Sequence, residues 1–89
     1  MIPSYRVEFR PEADGDLSGL SPHARERVLE RIRWLAGNFE EIKPEALKGT
    51  HWRGVFKLRA GDYRVLYTAN LRQRLLTIHI VGHRREIYR

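Results

Sequence analysis

The second half of the chain contains three alternating segments joined by short turns, and this pattern constrains the fold more than any other feature. Apolar side chains recur at alternate positions in residues 55–59, 63–67 and 75–82, which is the spacing of β-strands. Residues 60–62 join the first two segments, and residues 70–74 join the last two. Connections this short link neighbouring antiparallel strands. The sequence therefore predicts an antiparallel three-stranded meander.

The first half of the chain adds one strand and two helices. Residues 4–9 alternate as a strand does, and residues 11–20 carry apolar side chains at the spacing of a short helix. Residues 22–36 have a longer apolar stripe at helical spacing, whereas residues 40–54 show little periodicity and predict a surface loop. The predicted order is β-α-α-β-β-β. This is an α+β fold whose antiparallel sheet packs one face on a helical hairpin and leaves the other face open.

Both ends of the longer helix have recognisable signals. Ser21 is followed by Pro22, which is the usual pairing of an N-cap residue with proline in the first turn. Gly37 and Asn38 follow the last apolar position and predict a left-handed helix stop. This helix is the best-defined element of the first half.

The length and composition fit one small domain. Eighty-nine residues with 42% hydrophobic and 31% charged side chains form a single core, so we expect one domain over residues 1–89. There is no cysteine, no apolar run long enough for a membrane helix, and no signal peptide at the amino terminus. We therefore expect a cytoplasmic protein with no membrane association.

The charge of the chain is strongly segregated. Residues 1–47 hold seven Lys and Arg against nine Asp and Glu, a net charge of −2. Residues 48–89 hold ten Lys and Arg against two acidic residues, a net charge of +8. This segregation indicates an anionic partner, and nucleic acid is the first hypothesis. An acidic protein partner and a compositional bias without any partner are the alternatives.

The alternation of the meander separates a core face from a basic face. The core face is predicted to carry Phe56, Leu58, Tyr63, Val65, Ile78 and Ile80. Lys57, Arg59 and Arg64 point the other way. Because Lys57 and Arg64 are placed symmetrically about the 60–62 turn, we expect them to be close neighbours. They either bind an anion together or are solvated separately, since unpaired like charges repel across a sheet.

The chain ends in GHRREIYR, residues 82–89, which is either a solvated tail or one wall of an active site. The last strand delivers His79, and then His83, Arg84 and Arg85, toward the basic face. The spacing of the two histidines on a strand does not fit a zinc site, and no metal is expected. Tyr88 either anchors the tail by packing or acts in the site, where nearby cations favour the phenolate as a general base and its ring is a stacking platform.

Two longer segments resemble the RelE/ParE toxin superfamily, and RelE-type mRNA interferases in particular. They are LKGTHWRGVFKLRAGDYRVLY, residues 47–67, and IHIVGHRREIYR, residues 78–89. The resemblance implies a RelE-like fold, an acidic antitoxin as partner, and cleavage of mRNA on the ribosome without a metal or other cofactor. By position, it implies that the catalytic residues are Lys57, Arg64, Arg84 and Tyr88. The sequence departs from some RelE enzymes at Val55, where they carry a second lysine.

Metal-free cleavage of RNA by its 2′-hydroxyl needs a base, an acid and cations that stabilise the extra phosphorane charge. We assign the cationic role to Lys57, Arg64 and Arg84 and the role of base to Tyr88. At the leaving oxygen, Arg84 is either the acid or a charge stabiliser. His83 is a reserve for either proton transfer because histidine titrates near neutral pH. Arg59 and Arg85 are predicted to bind flanking phosphates of the RNA, and with His83 they form the RNA-binding set. The alternatives are a ParE-like toxin that inhibits DNA gyrase and a non-catalytic nucleic-acid-binding domain.

Overall fold

The structure, a computed structural model, describes residues 4–87 of the chain. It confirms the predicted α+β class and the predicted order of the main elements. In chain order these are β1 (Arg6–Phe9), α1 (Pro11–Ser18), α2 (Pro22–Asn38), β2 (Glu45–Ala46), a 3-10 helix (Thr50–Trp52), β3 (Phe56–Ala60), β4 (Tyr63–Asn70) and β5 (Leu75–His83). Among these residues, no helix has the length and apolar character that are needed to cross a membrane.

The strands form one five-stranded sheet in the order β1-β5-β4-β3-β2. The predicted meander is confirmed, because β3 and β5 both pair antiparallel with β4. Strand β1 pairs parallel with β5, and the two helices lie between them in the chain. Residues 40–54 were predicted to form a surface loop, but part of this segment is a strand. The two-residue strand β2 pairs antiparallel with β3 and extends the sheet by one edge strand.

Helix α2 begins as predicted but ends differently. The Ser21 hydroxyl oxygen accepts a hydrogen bond from the Ala24 N–H at 3.3 Å and caps the helix. The predicted left-handed stop at residues 37–38 is wrong, because the helix continues to Asn38 and Phe39 is still right-handed. Continuing the helix carries the Phe39 ring into the core, 4.9 Å from the ring of Tyr5. Burial of this ring therefore overrides the local stop signal.

The core lies between the helices and one face of the sheet. The apolar stripe of α2 packs against β3, β4 and β5, and the predicted core positions Leu58, Val65 and Ile78 are buried there. Phe56 and Tyr63 are partly buried at its margin. The largest fully buried side chains are Tyr67, Leu35, Leu66, Leu76, Ile78, Val28 and Val65. The apolar face predicted from alternation is thus the helix-covered face, with one exception.

That exception is Ile80, which was predicted on the core face and lies on the other one. Leu66 pairs with Ile80, but the next residue, Tyr67, pairs with Ile78, so His79 is an extra residue in a β-bulge. The bulge reverses the alternation beyond it. Next to the bulge, the Val81 N–H donates a hydrogen bond of 2.9 Å to the Asp16 carboxylate of α1.

The sequence predicted that the face opposite the helices is open, but this face is partly covered. Leu66 lies on this face and is completely buried, with 0% of its surface exposed. The chain folds back after β5, so that the Ile87 side chain is also buried and lies over Gly82, within 3.6 Å of where a Cβ would stand. Apolar side chains are therefore buried on this face as well as on the helix-covered face.

Truncating Leu66 tests whether this side chain is buried. We expect Leu66→Ala to lower the free energy of unfolding by about 2–5 kcal/mol, the range for a buried leucine that leaves a cavity. The matched control is Leu71→Ala, because Leu71 is 67% exposed and its loss should change stability by less than about 0.5 kcal/mol. Urea denaturation measures both. Equal effects of the two changes would contradict the burial of Leu66.

Candidate nucleic-acid interface

The predicted site residues that the structure describes form a surface we call the basic face. It comprises the side of the sheet away from the helices and the segment that follows β5. Its members are Lys57, Arg59, Arg64, His83, Arg84 and Arg85. The first three lie on β3 and β4, as predicted from alternation, since their neighbours Leu58 and Val65 face the core. Tyr88, the fourth predicted catalytic residue, lies outside the described residues.

The register changes one detail of the predicted site. Arg59 lies directly opposite Arg64, whereas Lys57 lies opposite Leu66. Lys57 and Arg64 are therefore diagonal neighbours on one face, for which about 7–8 Å between Cα atoms is usual. The closest pair of like charges across the sheet is thus Arg59 and Arg64. A hairpin turn of 60–62 allows this register because Gly61 adopts a left-handed φ of 61°.

The two arginines of this cross-strand pair bind different partners, which relieves their repulsion. The Arg64 guanidinium turns toward the hairpin and donates to the carbonyl oxygens of Gly61, at 2.8 Å, and Tyr63, at 2.9 Å. The Arg59 guanidinium donates to the Glu45 carboxylate at 3.3 Å. Arg64 is consequently fixed at the turn by two acceptors. A guanidinium has five N–H donors, so it retains donors for a ligand.

Glu45 is a member of the site that the sequence analysis missed. Strand β2 places it opposite Lys57, with its Oε2 atom 3.1 Å from the Lys57 ammonium group. The hydrogen bond from Lys57 is the main cause that lowers the pKa of Glu45, and Arg59 adds to it. Glu45 therefore remains ionised at neutral pH. No sequence signal pointed to it, because a two-residue strand is too short to show a period.

The segment after β5 brings Arg84 to the same turn. The Arg84 N–H donates to the Asp62 carbonyl oxygen at 2.8 Å, and its Nε atom lies 3.8 Å from the Asp62 carboxylate. The segment then turns, because the N–H groups of Glu86 and Ile87 both donate to the His83 carbonyl oxygen. Arg64 and Arg84 thus bind adjacent residues of one hairpin turn. The structure therefore places two of the predicted catalytic residues at the same turn.

His83 is held at the edge of this arrangement. Its ring packs edge-on against Tyr63, with ring centres 5.8 Å apart. Its Nδ1 atom accepts a hydrogen bond of 3.2 Å from the Arg85 N–H. A neutral imidazole that accepts at Nδ1 carries its proton at Nε2. In this geometry His83 presents an N–H donor rather than a free basic nitrogen.

His79 points to the side of the sheet away from the helices, the side predicted from the sequence, but it lies far along that side from Arg64. Its Nε2 atom is 2.9 Å from the Thr68 hydroxyl oxygen. Thr68 is four residues from Arg64 along β4, or about 13 Å at the usual rise of a strand. The β-bulge turns His79 toward the start of α1, where Arg10 and Glu12 line the same groove. Within residues 4–87, no three His, Asp or Glu side chains are grouped to hold a metal ion.

The environment of His79 predicts a pH-dependent stability. Burial lowers the pKa of His79, the charge of Arg10 lowers it further, and Glu12 opposes these effects. An unfolded histidine titrates near pH 6.5. Below about that pH, His79 is therefore more often protonated in the unfolded chain than in the folded one. Protonation therefore favours unfolding. When the pH falls from 7.5 to 5.5, the free energy of unfolding measured with urea should decrease less for His79→Gln than for the wild type. An equal decrease in the two proteins would contradict this.

Sequence comparison identifies the class of protein. Residues 7–88 match the family model of the ParE toxin of the type II toxin–antitoxin system parDE. The chain therefore belongs to this toxin family, within the RelE/ParE superfamily, and the predicted superfamily is confirmed. No curated protein sequence is significantly similar.

Solved structures give the same fold. A chain of the RelBE2 toxin–antitoxin complex from Mycobacterium tuberculosis is 27% identical, with a TM-score of 0.81 over 93% of this chain and 94% of that one. A chain of the archaeal RelE–RelB complex from Pyrococcus horikoshii OT3 is 26% identical, with a TM-score of 0.73 over 94% and 99%. The isolated RelE toxin of E. coli is 21% identical, with a TM-score of 0.70 over 90% and 84%. At this identity, the similarity to the E. coli toxin shows a shared fold.

Proposed function

We propose that this toxin is an endoribonuclease that cleaves mRNA on the ribosome by attack of a 2′-hydroxyl on the adjacent phosphorus, without a metal or other cofactor. The observation that carries the proposal is the placement of Arg64 and Arg84 at one hairpin turn. Lys57 lies on the same face. Cations on one face of the sheet suit a reaction whose transition state gains negative charge on the phosphate oxygens.

Each member of the basic face has a role in this proposal. Lys57, Arg64 and Arg84 stabilise the phosphorane charge, since an arginine remains protonated and is a poor proton donor. His83 is the proposed proton donor to the departing 5′-oxygen. This role needs the imidazolium form, in which Nδ1 no longer accepts the Arg85 N–H. Tyr88, from the resemblance, is the proposed base. Arg59 and Arg85 bind the flanking phosphates of the RNA.

The proposal predicts which changes affect the rate and which affect binding. Arg84→Ala and Tyr88→Phe should lower cleavage of ribosome-bound mRNA about 10²–10³-fold, as expected for a lost transition-state contact. Arg85→Ala should mainly weaken binding and its salt dependence. The control is Arg33→Ala, because Arg33 pairs with Glu26 on the exposed side of α2. Mass spectrometry should find 2′,3′-cyclic phosphate ends, and EDTA should not prevent their formation.

Two results would contradict these assignments. Intact mRNA, both on and off ribosomes, would remove the nuclease proposal. Full activity of Tyr88→Phe would remove the role of the terminal tyrosine alone.

A second candidate function is inhibition of DNA gyrase by binding. The observation in its favour is that the matching family model is that of the ParE toxins. This function needs no catalytic residues, and the basic face would then contact a protein or DNA. A supercoiling assay separates the two candidates, because a gyrase inhibitor should block supercoiling and leave mRNA intact. A non-catalytic nucleic-acid-binding domain would do neither.

The proposed partner is an acidic antitoxin that covers the basic face or displaces the segment 82–89. The supporting observation is that the two relatives above, at 27% and 26% identity, were solved as toxin–antitoxin complexes. An acidic protein also complements the net charge of +6. Such a complex would act in the cytoplasm, where the proposed mRNA substrate is translated.

The antitoxin proposal is tested by co-expression. Expression of the toxin alone should arrest growth, and co-expression with the acidic protein from the adjacent reading frame should restore it. Hydrogen exchange of the purified complex should then show protection at the segment 82–87 and on β3. Restored growth with exchange unchanged at both places would contradict the proposed binding surface.

A further inference from the structure

One carboxylate lies among the cations of the basic face. The Oε2 atom of Glu45 is 3.1 Å from the Lys57 ammonium group and 3.3 Å from the Arg59 guanidinium group. The side chain of Lys57 is 22% exposed, that of Glu45 is 46% exposed and that of Arg59 is 61% exposed. All three groups are therefore within reach of a ligand from solvent.

Strand pairing fixes the position of Glu45. It belongs to the acidic half of the sequence, yet β2 pairs it directly with Lys57 of β3. In residues 48–89, the acidic residues are Asp62 and Glu86, against ten Lys and Arg. The two-residue strand thus inserts a negative charge into a region that is otherwise strongly positive.

The contacts of Glu45 have the chemistry of a phosphate site. An oxygen that accepts charge-assisted hydrogen bonds from a lysine and an arginine has the same partners as a phosphate oxygen bound to protein. We propose that Lys57 and Arg59 form a phosphate-binding subsite, which the Glu45 carboxylate occupies in the free protein and from which an RNA phosphate displaces it. The identity of the ligand as RNA rests on the proposed function. The competition itself depends on charge and geometry.

This competition would make the toxin selective for ligands with several phosphates. A single free phosphate must displace Glu45 with no other contact to assist it. A phosphate within an RNA chain is already held near the subsite when other parts of the chain bind the basic face, which raises its effective concentration. Glu45 therefore weakens the binding of isolated anions more than that of a polynucleotide. Once displaced, its carboxylate can be hydrated because it is already half-exposed.

The test compares two substitutions that remove the same charge. Glu45→Gln keeps the shape of the side chain and removes the competitor. Glu26→Gln is the matched control, because Glu26 pairs with Arg33 on α2 at 2.8 Å and both are exposed. The probes are inorganic tripolyphosphate and a 2′-O-methyl RNA oligonucleotide, which cannot be cleaved by 2′-hydroxyl attack. Calorimetry and fluorescence anisotropy measure their affinities.

We expect Glu45→Gln to bind tripolyphosphate roughly two- to fivefold more tightly at low salt, the range for an exposed ion pair, and to gain a smaller factor for the RNA. The slope of log K against log salt for the RNA should become steeper by about 0.7, which corresponds to one more neutralised phosphate. Glu26→Gln should behave like the wild type. Circular dichroism confirms that each variant is folded, and Glu45→Ala replaces Glu45→Gln if the latter is not.

Each other outcome has a defined meaning. Equal or weaker binding by both Glu45 variants would overturn the inference, as would an equal gain in Glu26→Gln, because net charge alone would then explain it. A gain confined to Glu45→Gln, in a protein that leaves mRNA intact, supports the subsite and removes the nuclease proposal. If mRNA is cleaved normally but neither Glu45 variant binds the probes more tightly, the proposed function stands and the subsite is contradicted.

Discussion

The hydrogen bond from the Arg84 N–H to the Asp62 carbonyl oxygen, at 2.8 Å, connects the segment after β5 to the β3–β4 turn. Because Arg64 binds the Gly61 carbonyl oxygen at the same turn, this contact brings together cations that are 20 residues apart in the sequence. Gly61 is left-handed, and a Cβ there would lie 3.3 Å from the Arg27 guanidinium of α2. The turn therefore lies close to α2 on one side and is bonded to the segment after β5 on the other.

Placing many cations on one small surface is unfavourable unless anions or acceptors offset the repulsion. The protein uses three devices for this: backbone carbonyl oxygens at Arg64, the Asp62 carboxylate near Arg84, and the Glu45 carboxylate between Lys57 and Arg59. Each one occupies part of a cation's binding capacity and leaves the rest accessible. A phosphate chain supplies the same kind of acceptor at several points at once, so it can replace these contacts without leaving charges unpaired.

Sequence periodicity was sufficient for the parts of the fold that repeat. It predicted the meander, helix α2 and the face that carries Lys57 and Arg64. It failed where one residue breaks the period: the bulge at His79 moved Ile80 to the opposite face. It also failed where tertiary contact decides, as with the burial of Leu66 on the face opposite the helices and the pairing of Glu45 through a two-residue strand. Such features depend on contacts between segments that are distant in the sequence, and local periodicity does not determine these contacts.

The most direct test of the account is a double-mutant cycle with Arg64→Ala and Arg84→Ala, measured as the rate of cleavage of ribosome-bound mRNA. If both guanidinium groups stabilise the same phosphorane charge from one turn, their effects are coupled. The loss of transition-state stabilisation in the double variant should then differ from the sum of the single losses by about 0.5–3 kcal/mol. Additivity within about 0.5 kcal/mol, or a wild-type protein that cleaves no mRNA, would contradict the claim that this turn assembles a catalytic site.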